Sequence, residues 1–257
     1  VWRSVTFGIT KLFVSPDWLN WSDLDIGIWT SKSGTRLLDG HLTDSRSQHR
    51  NKRRESDALI KAVQALTPFI HRLRSLKLDI VRSTDFITVQ QLLSGHDAVA
   101  FPMLTTLVVR STRLDDPANT ICIKLAILPL LNSLYVPNVS LRTEGRPSCS
   151  INKLGWRVFD SHDLRALTTV LAQQRVPSLY LTIFAHETMQ IRSPFESLEN
   201  SLAWSSLLSL RLHGVSGLDN EHAGSLFSQL QAPNLRRLEL VEIDQAIFSI
   251  LVAELVC

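Results

Sequence analysis

One short phrase recurs along the chain and limits what it can fold into: apolar, two variable residues, apolar, one variable residue, apolar. It occurs as Leu73-Leu76-Leu78, Leu104-Leu107-Val109, Leu131-Leu134-Val136, Val176-Leu179-Leu181, Leu207-Leu210-Leu212 and Leu235-Leu238-Leu240. Successive first anchors lie 31, 27, 45, 31 and 28 residues apart. Intervals of this size mark stacked copies of one supersecondary unit, and the 45-residue step calls for an insertion, near residues 142–155. Pro102, Pro129 and Pro233 each stand two residues before a first anchor. Proline cannot continue a helix, so each marks the turn that feeds a strand. Apolar residues at helical spacing predict helices over Asp57–Arg72, Ser161–Gln174 and Asn220–Leu230, upstream of strands. Helix, turn and short strand then alternate, which is the pattern of an α/β arrangement with parallel strands. One such unit cannot bury its anchors alone; neighbours stack, and the anchors share one interior while the residues between them point out of the strand face.

The 257 residues are 44% hydrophobic and 20% charged, enough apolar surface for a real core. The net charge of +3 is mild and requires neither a nucleic-acid nor a membrane partner. No apolar run reaches the roughly 18 residues of a membrane span. Three widely separated cysteines, Cys122, Cys149 and Cys257, make a disulfide framework improbable and point to a reducing compartment, cytoplasmic or nuclear. The opening Val-Trp-Arg-Ser-Val-Thr-Phe reads like the middle of a longer sequence.

The recurring phrase resembles the leucine-rich-repeat family, whose pattern is LxxLxLxxN/CxL. Positions one, four and six match from about Asp57 to Cys257. The ninth does not: Val81, Thr112, Val139, Phe184, Val215 and Ile243 stand where the family carries Asn or Cys. The resemblance implies an irregular solenoid with parallel strands on the concave face, helices on the convex face, and no stacked polar ladder. Trp2-Arg3, Pro16, Trp21, Leu24 and Ile26 resemble the tail of an F-box-like domain in proteins of mushroom-forming fungi. That implies the substrate-recognition part of a cullin-type ubiquitin-ligase adaptor, with Trp2 and Arg3 as docking residues for a Skp-type linker. Trp21-Leu24-Ile26 also fits the repeat phrase, as a leading strand. The expected organisation is therefore an F-box-like tail and cap over residues 1–42, a basic polar linker over 43–56, and the repeat solenoid over 57–257.

Chemistry-bearing motifs are sparse. None of the eight histidines lies in a recognised nucleophile motif, and no GxSxG occurs. No paired CxxC is present to hold a metal, and no GxxxxGK[ST] or GxGxxG to cradle a phosphate. The expectation is a protein-binding scaffold without catalytic, cofactor or metal residues, and not an enzyme. An α/β enzyme remains as an alternative that predicts Asp, His and Ser converging at strand ends. The run His49-Arg50-Asn51-Lys52-Arg53-Arg54 offers nucleic-acid binding as another, but no aromatic residue lies among its charges for base stacking.

The residues expected to meet a protein partner are outward positions of the strands. Fifth positions of the phrase are Lys77, Val108, Tyr135, Tyr180, Arg211 and Glu239; seventh positions include Asp79, Arg110, Thr182 and His213. Aromatic and arginine side chains dominate interface energetics, which selects Lys77, Arg110, Tyr135, Tyr180, Arg211 and His213 as candidate contacts on the concave strand face.

Overall fold

The computed structural model describes residues 34–42, 58–80, 83–94, 100–111, 120–136, 140–144, 149–158, 166–167, 169–171, 174–184, 202–216, 230–243 and 245–256. Trp2, Arg3, the Trp21-Leu24-Ile26 triplet and the basic run 49–54 lie outside them, as does nearly all of the expected helix Asn220–Leu230. The chain is α/β with parallel strands, and it forms two compact units. Residues up to Asn132, with 144–149, make the first; the second begins at Ser133.

The first unit contains β1 (Leu38–Leu42), α1 (Ala58–Leu66), a 3-10 segment (Thr67–Arg72), β2 (Leu73–Ile80), α2 (Ser83–Ser94), β3 (Thr106–Ser111) and β4 (Thr120–Lys124). Strands β1, β2 and β3 pair in parallel in that order. The anchors fall in register, with Leu42 beside Leu78 and Leu78 beside Val109, and every anchor of the first two triplets is buried. The helix expected over Asp57–Arg72 tightens into the 3-10 segment at Thr67. Pro68 is the cause, since it has no N–H to continue the α-helical ladder. Strand β1 was not visible in the phrase because its middle inward position is Gly40, opposite Leu76. A Cβ there would stand 3.2 Å from Leu76 Cδ1, so the glycine lets the two strands and Leu66 close up. Arg74 bridges back to Asp39 of β1 through two N–H donors, at 3.1 and 2.5 Å.

The second unit contains β5 (Ser133–Val136), β6 (Ser140–Glu144, whose last residue belongs to the first unit), β7 (Lys153–Val158), β8 (Ser178–Phe184), β9 (Leu202–Ala203), β10 (Ser209–Ser216), β11 (Leu230–Gln231), β12 (Arg237–Val241) and α3 (Gln245–Val256). Its main sheet runs β5-β7-β8-β10-β12, all parallel. The insertion expected within the 45-residue step is corrected here. Ile151-Leu154-Trp156 is a further copy of the phrase, all three side chains are buried, and it splits the step into 20 and 25 residues. Its third anchor is a tryptophan and its fifth position a glycine, so it did not read as leucine-rich.

A common turn introduces several strands. The N–H of the first anchor donates to the carbonyl three residues earlier: Leu104 to Phe101 at 3.3 Å, Leu131 to Leu128 at 3.1 Å, Leu207 to Trp204 at 2.9 Å and Leu235 to Ala232 at 3.0 Å. Pro102, Pro129 and Pro233 occupy the second residue of these turns, where their fixed φ is favourable. The last triplet departs from the expected burial. Leu238 is 36% exposed and Leu235 and Leu240 are half-buried, whereas the other five triplets are at most 1% exposed. Among the described residues, β12 is paired on one edge alone, by β10, so its anchors lack the second neighbour that buries the others.

Candidate protein-binding face

Parallel pairing in register stacks the outward positions of the second unit into rows across the strands. The third positions form the row Ser133, Lys153, Ser178, Ser209, Arg237. The fifth positions form Tyr135, Gly155, Tyr180, Arg211, Glu239. The seventh positions place Arg157, Thr182, His213 and Val241 side by side.

The fifth-position row is a connected chain of contacts. Gly155 separates the two tyrosines by two strand intervals, roughly 9.6 Å between backbones. A side chain at 155 would fill that space; its Cβ would stand 1.7 Å from Tyr135 Cδ2. Without one, the Tyr135 ring covers Gly155 and reaches Tyr180, with ring centroids 5.4 Å apart and planes tilted by 42°. The Arg211 guanidinium stands over the other neighbouring position, 5.2 Å from the Tyr180 centroid, where the negative face of the ring attracts it. Arg211 also forms an ion pair with Glu239, Nε standing 3.4 Å from Oε1, and Arg237 reaches Glu239 Oε2 at 3.6 Å. His213 extends the cluster along the strand: its ring lies 6.2 Å from Tyr180, and its Nε2 stands 3.2 Å from Glu242 Oε2. Gly214 follows at φ +65, where a side chain would be strained, and the β10–β8 register shifts between His213 and Ser216. That glycine sets where the regular part of the face stops.

Tyr135, Ser178, Leu179, Tyr180, Ser209, Arg211, Arg237 and Glu239 line a shallow open depression of about 570 Å³. Its walls combine phenol rings, two guanidiniums, hydroxyls and one carboxylate. Among the described residues that line it there is no histidine or aspartate. Among the described residues no three metal-ligating side chains gather to hold an ion. Cys149 is buried, and burial pushes its thiol above the ordinary range, while Cys122 is half-buried; neither is disulfide-bonded.

The expected contact residues divide between the units. Tyr135, Tyr180, Arg211 and His213 come together in the second. Lys77 and Arg110 belong to the first, where Lys77 stands beside His41 and Val108, and Arg110 beside Asp79. Three outward positions, Val108, Arg157 and Thr182, are buried and offer little surface. Gly155 and Arg237 were missed as members of the site. Gly155 became recognisable once Ile151-Leu154-Trp156 was seen as a repeat; Arg237 needed the third-position row. No helix of the described residues is long and apolar enough to cross a membrane. The chain matches no protein-family model, and no curated protein matches it.

Proposed function

We propose that the chain is an irregular solenoid of leucine-rich repeats whose outward strand face holds a protein partner, and that it does no chemistry of its own. The observation that carries this reading is the row Tyr135–Gly155–Tyr180–Arg211–Glu239. Tyrosine and arginine are the residue types that anchor interfaces. Here they are already ordered by one another, so less side-chain freedom is lost when a partner settles on them. The resemblance of Trp2-Arg3, Pro16, Trp21, Leu24 and Ile26 to an F-box-like tail extends the proposal: the partner is a substrate presented to a cullin-type ubiquitin ligase through a Skp-type linker.

Site-specific photo-crosslinking tests the face. A photoreactive residue placed at Tyr180 or Arg211 is expected to capture a partner protein, and the same residue at exposed Ser249 on α3 is not. Equal capture from all three positions, or capture from Ser249 alone, would remove the face from the account. The ligase extension is tested by co-purification with a Skp-type linker; Trp2→Ala with Arg3→Glu should abolish it.

A further inference from the structure

We infer that the partner segment held by this face is acidic: an extended stretch of another protein carrying aspartate or glutamate side chains about four residues apart. The inference rests on reading the strand face as a binding surface and goes on to the chemistry of what it binds.

Charge is the first argument. The third- and fifth-position rows of the second unit carry three cations, Lys153, Arg211 and Arg237, against one carboxylate, Glu239. Lys153 is exposed, and the Arg211 and Arg237 side chains are 45% and 73% exposed. Glu239 is shared between both guanidiniums at 3.4 and 3.6 Å, well beyond the roughly 2.7–2.9 Å of a strong charge-assisted hydrogen bond. Each guanidinium carries five N–H donors in a planar fork. One shared carboxylate at such distances leaves most of those donors for an incoming carboxylate, which can bind bidentately. Glu239 then acts as an internal stand-in for the ligand and competes with it.

Spacing is the second argument. Lys153 and Arg237 occupy the same row on β7 and β12, three strand intervals apart, or about 14 Å. Four residues of extended chain span about 13 Å. A segment laid across the strands can therefore set one carboxylate on Lys153 and the next on Arg237 and Arg211. Ser178 and Ser209 lie between them in the row, with hydroxyls suited to its backbone.

The aromatic residues favour a protein over a nucleic acid. Base stacking needs an open ring face. Tyr135 covers Gly155, and Tyr180 is flanked by Tyr135, His213 and the Arg211 guanidinium. Tyr180 thus orients Arg211 and has little free face for a base.

The test measures fluorescence-polarisation binding of labelled probes to the full chain at low ionic strength. The probes are an eight-residue peptide with glutamates at i and i+4, the same peptide with lysines there, and a short single-stranded DNA. The glutamate peptide is expected to bind best. Arg211→Glu with Arg237→Glu should weaken it by about tenfold or more, and Glu239→Gln should tighten it several-fold by removing the competitor. The gain from Glu239→Gln cannot come from misfolding. Preference for the lysine peptide or the DNA would overturn the inference, as would a Glu239→Gln variant that binds no better than the parent chain. Failure here alongside crosslinking at Tyr180 would discard the acidic class and keep the binding face; loss of the crosslink itself would discard the face.

Discussion

Gly155 carries more of the site than any charged residue, because its missing side chain is what allows two rings on alternate strands to meet. Gly155→Ala would put a methyl group 1.7 Å from Tyr135 Cδ2, near the base of the ring, where a small tilt gives no relief. Tyr135 must leave its rotamer and give up Tyr180. Overpacking of this kind typically costs about 1–3 kcal/mol, so the denaturation midpoint should fall accordingly. In the Tyr135→Ala background the same substitution should cost much less, since the clash is gone; additive losses would show that the glycine matters for some other reason. The candidate residues Tyr135, Tyr180, Arg211 and His213 were legible one at a time, from their place in the phrase. Their adjacency was not. Without the strand that carries Gly155, the phrase alone does not say how far apart Tyr135 and Tyr180 stand.

At the scale of the element, what was legible is what the strand period and the prolines encode. Six apolar triplets became six parallel strands, and three prolines became the second residues of their turns. Strands β1 and β7 escaped because their anchors include Gly40 and Trp156, which fit the register through close approach and bulk and not through leucine-like size. The end strand β12 was legible as a strand but not as a half-open one, since exposure depends on neighbours that a linear pattern cannot count. That difference has an energetic consequence. Leu179 and Leu238 hold the same position of the phrase, yet Leu179 is 1% exposed and Leu238 is 36% exposed. Leu179→Ala should cost about 2–5 kcal/mol, the usual range for a core leucine, and Leu238→Ala about 1 kcal/mol or less. Urea titrations of the two variants decide the matter; equal losses would mean that Leu238 is covered in solution.

Across the whole molecule, each compact unit obeys the same construction rule: anchors at one, four and six face inward, and positions three, five and seven form rows on the other side. The two units use that rule differently. The first lines up His41, Lys77 and Val108, with Asp79 beside Arg110. The second concentrates both of the chain's tyrosines, with Arg211, Arg237 and Glu239, around one depression. Because the chain has two tyrosines and both belong to this row, a tyrosine-specific signal reports on the proposed face and on nothing else. The most direct measurement is therefore an NMR titration of the full chain carrying ring-labelled tyrosine. The account predicts two ring signals in mutual contact, both shifting as the glutamate peptide or a crosslinked partner is added, and neither shifting in the Arg211→Glu, Arg237→Glu chain. Binding that leaves both tyrosine signals where they were would contradict it.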